Sequence, residues 1–82
     1  MKKLYEFIMN DGSKRKILGK DYGTHVSIKE INEDDDIDCI FGKTILVTNK
    51  PSTIEEEVQY CINNRYTYSS MKVEECILLE EK

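Results

Sequence analysis

The stretch NKPSTIEEEVQYCINN, residues 49–64, carries the clearest helical pattern of the chain. Apolar residues recur there at i, i+4, i+7 and i+8, which places them on one helix face: Ile54, Val58, Cys61 and Ile62. The pattern predicts one helix at about 53–63. A helix of about three turns is marginal alone, so it must dock on a sheet to persist.

The start of this helix is acidic. Ser52 with Glu55, and alternatively Thr53 with Glu56, has the spacing of a capping box. Glu55, Glu56 and Glu57 lie in the first turn, where the helix dipole favours each negative charge by ~0.3–1 kcal/mol. These acids therefore have a local explanation that requires no partner.

The segments on both sides of the helix alternate like strands, with β-branched and aromatic residues in period two. The predicted strands are KKLYEFIM (2–9), KRKILG (14–19), THVSIKEI (24–31), IDCIF (37–41), KTILVT (43–48) and MKVEECILLEE (71–81). Asp11-Gly12 and Phe41-Gly42 supply turn residues for two hairpins.

Some of these segments have alternatives. Ser27 and Glu30 also have capping-box spacing, so 24–31 is a strand with a helix as the alternative, and 71–81 has the same alternative. Tyr66 and Tyr68 alternate, which favours a further short strand between the helix and the last strand.

Together these elements predict one domain over residues 1–82 of α+β class, in the order β-β-β-β-β-α-β. The expected architecture is a small, mainly antiparallel sheet, open or curled into a partial barrel, with the single helix packed on it. A chain of 82 residues has a thin core and little room for a deep pocket. We therefore expect the protein not to be an enzyme and to need no cofactor.

Composition excludes several classes of protein. No apolar run approaches the ~20 residues of a membrane span, and the N-terminus lacks the pattern of a signal peptide. Three cysteines without a CxxC pair, and a single histidine, fit neither a disulfide framework nor a zinc site. The cysteines are expected to be small buried residues of a cytoplasmic protein.

The charge is unevenly distributed along the chain. Residues 1–29 have a net charge of +4 and residues 30–82 of −8, giving −4 in total. This charge asymmetry predicts one basic and one acidic region if the fold keeps the halves apart.

The composition also bears on origin. Alanine is absent and Lys outnumbers Arg ten to two, which indicates an AT-rich genome such as that of a low-GC bacterium, a phage or a mobile element.

Five acids lie within residues 33–38, at the start of the second predicted hairpin: Glu33, Asp34, Asp35, Asp36 and Asp38. A calcium loop starting at Asp34 would need Gly at position 6 and Glu at position 12, but Cys39 and Ile45 stand there. No metal site is therefore predicted. Closely spaced carboxylates can instead imitate nucleic-acid phosphates for a basic partner, or they can form a solvated turn.

The leading hypothesis is a small non-enzymatic accessory or inhibitor protein, encoded by a phage or mobile element. It would bind a basic, nucleic-acid-handling host protein through Glu33 to Asp36 and Asp38, with Glu55 to Glu57 in support. The alternative is a small nucleic-acid-binding module that uses Lys14, Arg15 and Lys16 with nearby aromatic residues. Self-association through an exposed strand edge is compatible with both hypotheses.

Overall fold

The computed structural model describes residues 1–67 and 71–82, which form a five-stranded antiparallel sheet and one helix. The elements are β1 (Lys2–Met9), β2 (Lys14–Asp21), β3 (His25–Ile31), β4 (Lys43–Asn49), α1 (Ile54–Asn64) and β5 (Val73–Glu81). Across the sheet the strands lie in the order β4-β3-β2-β1-β5. The predicted α+β class, with a mainly antiparallel sheet and one packed helix, is confirmed.

The first predicted hairpin is present, with Leu4 of β1 opposite Leu18 of β2. Its turn contains Gly12 at φ 86°, and the Asp11 carboxylate accepts a hydrogen bond from the backbone N–H of Ser13 at 2.9 Å. A positive φ is easy for glycine, and an Asp side chain satisfies the freed backbone donor. The Asp-Gly pair therefore sets this turn as expected.

The sheet buries residues on both faces, because successive strand residues point to opposite sides. On one side, here called the helix face, strand residues pack against Ile54, Val58 and Cys61 of α1: Tyr5, Phe7, Met9, Ile17, Val26 and Ile28. On the other side, here called the loop face, three strand residues form a smaller cluster with Ile37: Leu4, Leu18 and Ile31. The helix therefore covers the apolar residues of one face, and the loop that carries Ile37 covers those of the other.

The helix begins at the alternative of the two predicted capping boxes, Thr53 with Glu56, and not at Ser52 with Glu55. Thr53 is the N-cap and its hydroxyl accepts a hydrogen bond from the N–H of Glu56 at 3.2 Å. Its first apolar residue, Ile54, lies directly over Gly19 of β2, where a Cβ would come within 2.5 Å of the Ile54 Cγ2. Gly19 thus provides the close approach that seats the helix on the sheet.

One predicted strand is wrong. Residues 37–41 belong to a loop between β3 and β4, so the order is β-β-β-β-α-β, with one strand fewer than predicted. The reason lies in the aspartates: the Asp35 carboxylate accepts from the N–H of Asn32 at 3.1 Å, and that of Asp36 accepts from the N–H of Asp38 at 2.9 Å. These side chains satisfy backbone donors locally, in competition with strand pairing.

The remaining alternatives are settled for the described residues. Residues His25–Ile31 and Val73–Glu81 are strands, not helices. Because β4 and β5 lie at opposite edges, the sheet is open and does not close into a barrel. The short strand expected around Tyr66 and Tyr68 reaches residues 68–70, which lie outside the described part of the chain.

Candidate functional site

The loop of residues 32–42, here called the acidic loop, is anchored to the loop face by one side chain. Ile37 is only 1% exposed and packs with Leu4, Leu18 and Ile31. Burying such a side chain stabilises the loop by about 1.5–3 kcal/mol. The acidic loop is therefore a packed part of the fold.

Lysines of the sheet hold the backbone of this loop. Lys16 on β2 donates to the carbonyls of Glu33 (3.0 Å) and Asp35 (2.6 Å). Lys20 on the same strand donates to the carbonyl of Cys39 at 3.2 Å. Because these ammonium groups bind carbonyls, they fix the loop without forming salt bridges to the Glu33 and Asp35 carboxylates.

The five predicted acids have different roles in the loop. Asp35 and Asp36 support its turns, and Asp38 pairs with Lys2 (3.3 Å) and Lys82 (2.7 Å). Hydrogen bonds from Lys82 and then Lys2 lower the pKa of Asp38 below its ordinary value of 3.8. Glu33, Asp34 and Asp36 are exposed and form no salt bridge within residues 1–67 and 71–82.

The loop ends in an apolar tip that the sequence analysis missed. Ile40 is 70% exposed and Phe41 is 77% exposed, although the sequence pattern predicts a strand through Phe41. The Cys39 thiol donates to the carbonyl of Phe41 at 3.1 Å, and Gly42 follows at φ 134°. The sequence signal for this loop was the run of aspartates, because Asp35 and Asp36 can bond to nearby backbone N–H groups and form turns. Such turns interrupt the strand pattern and leave Ile37 as the residue that points inward.

Gly42 fixes the end of the tip. A Cβ at this position would lie 2.9 Å from the carbonyl oxygen of Glu30, closer than real Cβ atoms approach backbone. Its φ also lies in the region that favours glycine. The backbone therefore fixes how the chain passes from the tip into β4.

The three helix glutamates lie on the helix face, away from the acidic loop. Glu55 pairs with Lys3, and this hydrogen bond lowers the pKa of Glu55. Glu56 completes the cap with Thr53, while Glu57 accepts from Thr48 at 2.9 Å. The fold therefore does not bring the two predicted acid clusters into one surface.

The basic triplet is also divided. Arg15 lies on the helix face, with its Nη1 3.7 Å from the Glu30 carboxylate, while Lys14 and Lys16 lie on the loop face. Lys16 is engaged with the acidic loop and Lys14 is exposed. Strand alternation sets Arg15 apart from Lys14 and Lys16, and the cavity that all three line also contains Glu6, Glu30 and Glu33.

The cysteines differ in environment. Burial raises the pKa of the Cys61 thiol to about 11, as expected for a core residue. Cys39 is half-buried and Cys76 is exposed, so the prediction that all three are buried is wrong. Cys39 belongs to the acidic loop and packs at the margin of the Ile37 cluster, whereas Cys76 lies on the edge strand β5.

Three further observations concern the described residues. Within residues 1–67 and 71–82, no group of three His, Cys, Asp or Glu side chains is placed to hold a metal ion. No helix described there is both long and apolar enough to cross a bilayer. Comparison with protein-family models, curated proteins and solved structures finds no match to this chain.

Proposed function

We propose that this protein is a non-enzymatic accessory or inhibitor protein that uses the acidic loop to bind a basic surface of another protein. The observation that carries the proposal is the exposure of Ile40 and Phe41 beside outward carboxylates on an anchored loop. Binding energy in protein interfaces concentrates in a few apolar or aromatic anchors surrounded by polar groups. Phe41 is proposed to be this anchor.

The acids and the apolar tip have separate roles in this proposal. Glu33, Asp34 and Asp36 attract and orient a basic partner, which acts mainly on association rate and specificity and weakens with salt. Ile40 and Phe41 enter an apolar pocket of the partner and slow its dissociation. The lysine bonds to the loop carbonyls reduce the entropy lost on binding.

The test combines capture from the native host with matched neutralisations. Partners retained by the wild-type protein are identified by mass spectrometry, and affinity is then measured for the double variant Glu33→Gln/Asp34→Asn and for Phe41→Ala. We expect each change to weaken binding about tenfold or more. Thermal melts verify that both variants remain folded.

The control is the double variant Glu55→Gln/Glu56→Gln, which makes the same change of charge on the helix face. Gln at the third helical position preserves the capping box, so the fold should be retained. Affinity should stay within about twofold of wild type, since these side chains lie on the opposite face of the sheet. A larger loss in the helix variant than in the loop variant would refute the acidic loop as the binding surface.

The same preparation tests direct binding of nucleic acid through Lys14, Arg15 and Lys16. Fluorescence polarisation of labelled single-stranded DNA and RNA is measured at low and high salt. Because Glu6, Glu30 and Glu33 balance these cations where they line one cavity, we expect no binding whose affinity falls with salt in the manner of phosphate contacts. Binding that Lys14→Gln weakens would favour the nucleic-acid module instead.

A further inference from the structure

A cavity of about 430 Å³ opens on the helix face, separate from the acidic loop. Three adjacent strands and the end of the helix each place a charged side chain in its wall: Arg15 from β2, Glu30 from β3, Lys43 from β4 and Arg65 at the helix C-cap. Glu30 lies opposite Lys43 in the β3–β4 ladder. The sheet register therefore assembles this wall from residues that are distant in sequence.

The wall has three cations and one carboxylate, in a chain whose net charge is −4. A second cavity of about 270 Å³ on the neighbouring surface has Lys14, Arg15 and Lys16 matched by three glutamates, Glu6, Glu30 and Glu33. Only the larger of these two cavities has uncompensated positive charge. Such a concave, cation-lined surface concentrates anions.

The single carboxylate is already engaged. The Tyr66 hydroxyl donates to Glu30 Oε1 at 2.8 Å, and burial raises the pKa of Tyr66 far above its ordinary value, so that it remains a donor. The Tyr66 ring is itself fixed edge-on against Phe7, with the ring centres 5.3 Å apart. Glu30 thus fixes the position of Tyr66 and lies next to the Arg15 guanidinium.

Arg15 is left with donor capacity. Its Nε is buried and has no hydrogen-bond partner within the described residues, and its Nη1 lies 3.7 Å from Glu30, beyond hydrogen-bond distance. The Nε atom has almost no accessible surface, but the Arg15 side chain as a whole is 37% exposed and lines the cavity. An oxyanion in the cavity would therefore accept from the outer guanidinium nitrogens of Arg15, which Glu30 leaves without a hydrogen bond.

We propose that this cavity binds the phosphate group of a small phosphomonoester. Such a group carries about −1.5 to −2 charge at neutral pH and three acceptor oxygens, which fits the excess of two positive charges. Arg15 would bind through its planar fork, while Lys43 and Arg65 close on the remaining oxygens. Ile45 and Met71 form an apolar part of the wall against which the organic group packs.

The experiment is a titration of the isotope-labelled protein with phenyl phosphate, and separately with inorganic phosphate, followed by NMR. We expect saturable shifts centred on Arg15, Lys43 and Arg65, including the Arg15 Nε–H signal. Phenyl phosphate should bind about tenfold more tightly than inorganic phosphate, since its ring adds apolar contact. Equal affinities would overturn the role of the apolar wall and the assignment to a phosphomonoester.

Three variants make the outcome specific. Arg15→Lys keeps the charge but removes Nε and the fork, and Arg65→Gln changes an exposed residue with no role in the core. Each should weaken phenyl phosphate about tenfold, whereas Lys14→Gln, in the wall of the charge-balanced cavity, should change affinity less than about twofold. Absence of saturable binding, or an equal loss in Lys14→Gln, would overturn the proposal.

Discussion

A single carboxylate, Asp38, ties the acidic loop to both ends of the chain. It accepts hydrogen bonds from Lys2, the first residue of β1, and from Lys82, which follows β5. Those two strand ends also pair through their backbones, since Lys2 and Lys82 exchange N–H···O bonds of 2.7 and 2.9 Å. Asp38 thus links the loop to the place where β1 begins and β5 finishes.

The lowered pKa of Asp38 predicts a pH dependence. A carboxyl group whose pKa is lower in the folded than in the unfolded protein stabilises the fold above its ordinary pKa, here 3.8. That contribution is lost as pH falls through the folded value. Asp11 and Asp21, lowered by hydrogen bonds from Ser13 and Lys50 respectively, act in the same direction.

We therefore expect the unfolding temperature to be nearly constant above about pH 5 and to fall steadily below about pH 4. Circular dichroism melts over this range provide the measurement. Asp38→Asn should flatten part of the fall, because it removes one of the groups that must be protonated. An identical acid profile for the variant would show that the Lys2 and Lys82 contacts do not persist in solution.

At the scale of elements, two isoleucines three residues apart separate the stability of the acidic loop from its proposed function. Ile37 is buried under the sheet and Ile40 is 70% exposed at the tip. Ile37→Ala should lower the free energy of unfolding by about 2–4 kcal/mol, because it empties a packed site. Ile40→Ala should change it by less than about 0.5 kcal/mol.

Chemical denaturation measures both stabilities, and the capture assay measures binding. We expect Ile40→Ala to weaken partner binding while leaving stability unchanged. A stability loss in Ile40→Ala as large as that of Ile37→Ala would mean that the tip packs against the protein in solution. That result would contradict its assignment as a free anchor.

These elements also show what periodicity can predict. The Asp11-Gly12 turn and the helix cap are local, so the sequence indicates both, although it left Ser52–Glu55 and Thr53–Glu56 as alternatives for the cap. The prediction of a strand at 37–41 was wrong because aspartate side chains replaced the backbone partners that a strand would have used. The acid clusters were identified, but which face each occupies depends on strand order, and short-range pattern carries no information about strand order.

The cavity on the helix face could not be predicted from the sequence, because it too depends on how the strands are arranged in the sheet. Arg15, Glu30 and Lys43 become neighbours only through the register of β2, β3 and β4. In the sequence Arg15 reads as part of a basic triplet, and Lys43 as the first residue of a strand. A triplet in a strand is in fact divided between two faces.

At the scale of the whole molecule, the two sheet edges determine whether copies associate. The β5 edge is the longer, at nine residues, and carries Leu78 and Leu79, both exposed, among glutamates. In a two-fold antiparallel pairing centred on Ile77, Cys76 of one copy faces Leu78 of the other. The β1–β5 ladder skips Leu79 between Leu78 and Glu80. The same skip across the free edge would place Glu80 of one copy opposite Glu75 of the other, where like charges oppose pairing.

We therefore expect the wild-type protein to remain monomeric in light scattering and Glu80→Lys to form dimers, because two repulsive cross-strand pairs become attractive. With about 0.2–1 kcal/mol for each favourable or unfavourable pair, association should strengthen about tenfold. The double variant Glu75→Lys/Glu80→Lys restores like charges at both positions and should return to the monomer. If Glu80→Lys stays monomeric, or if the double variant associates as strongly, charge on β5 does not control this edge, and the two register shifts that interrupt the strand are the remaining barrier to pairing.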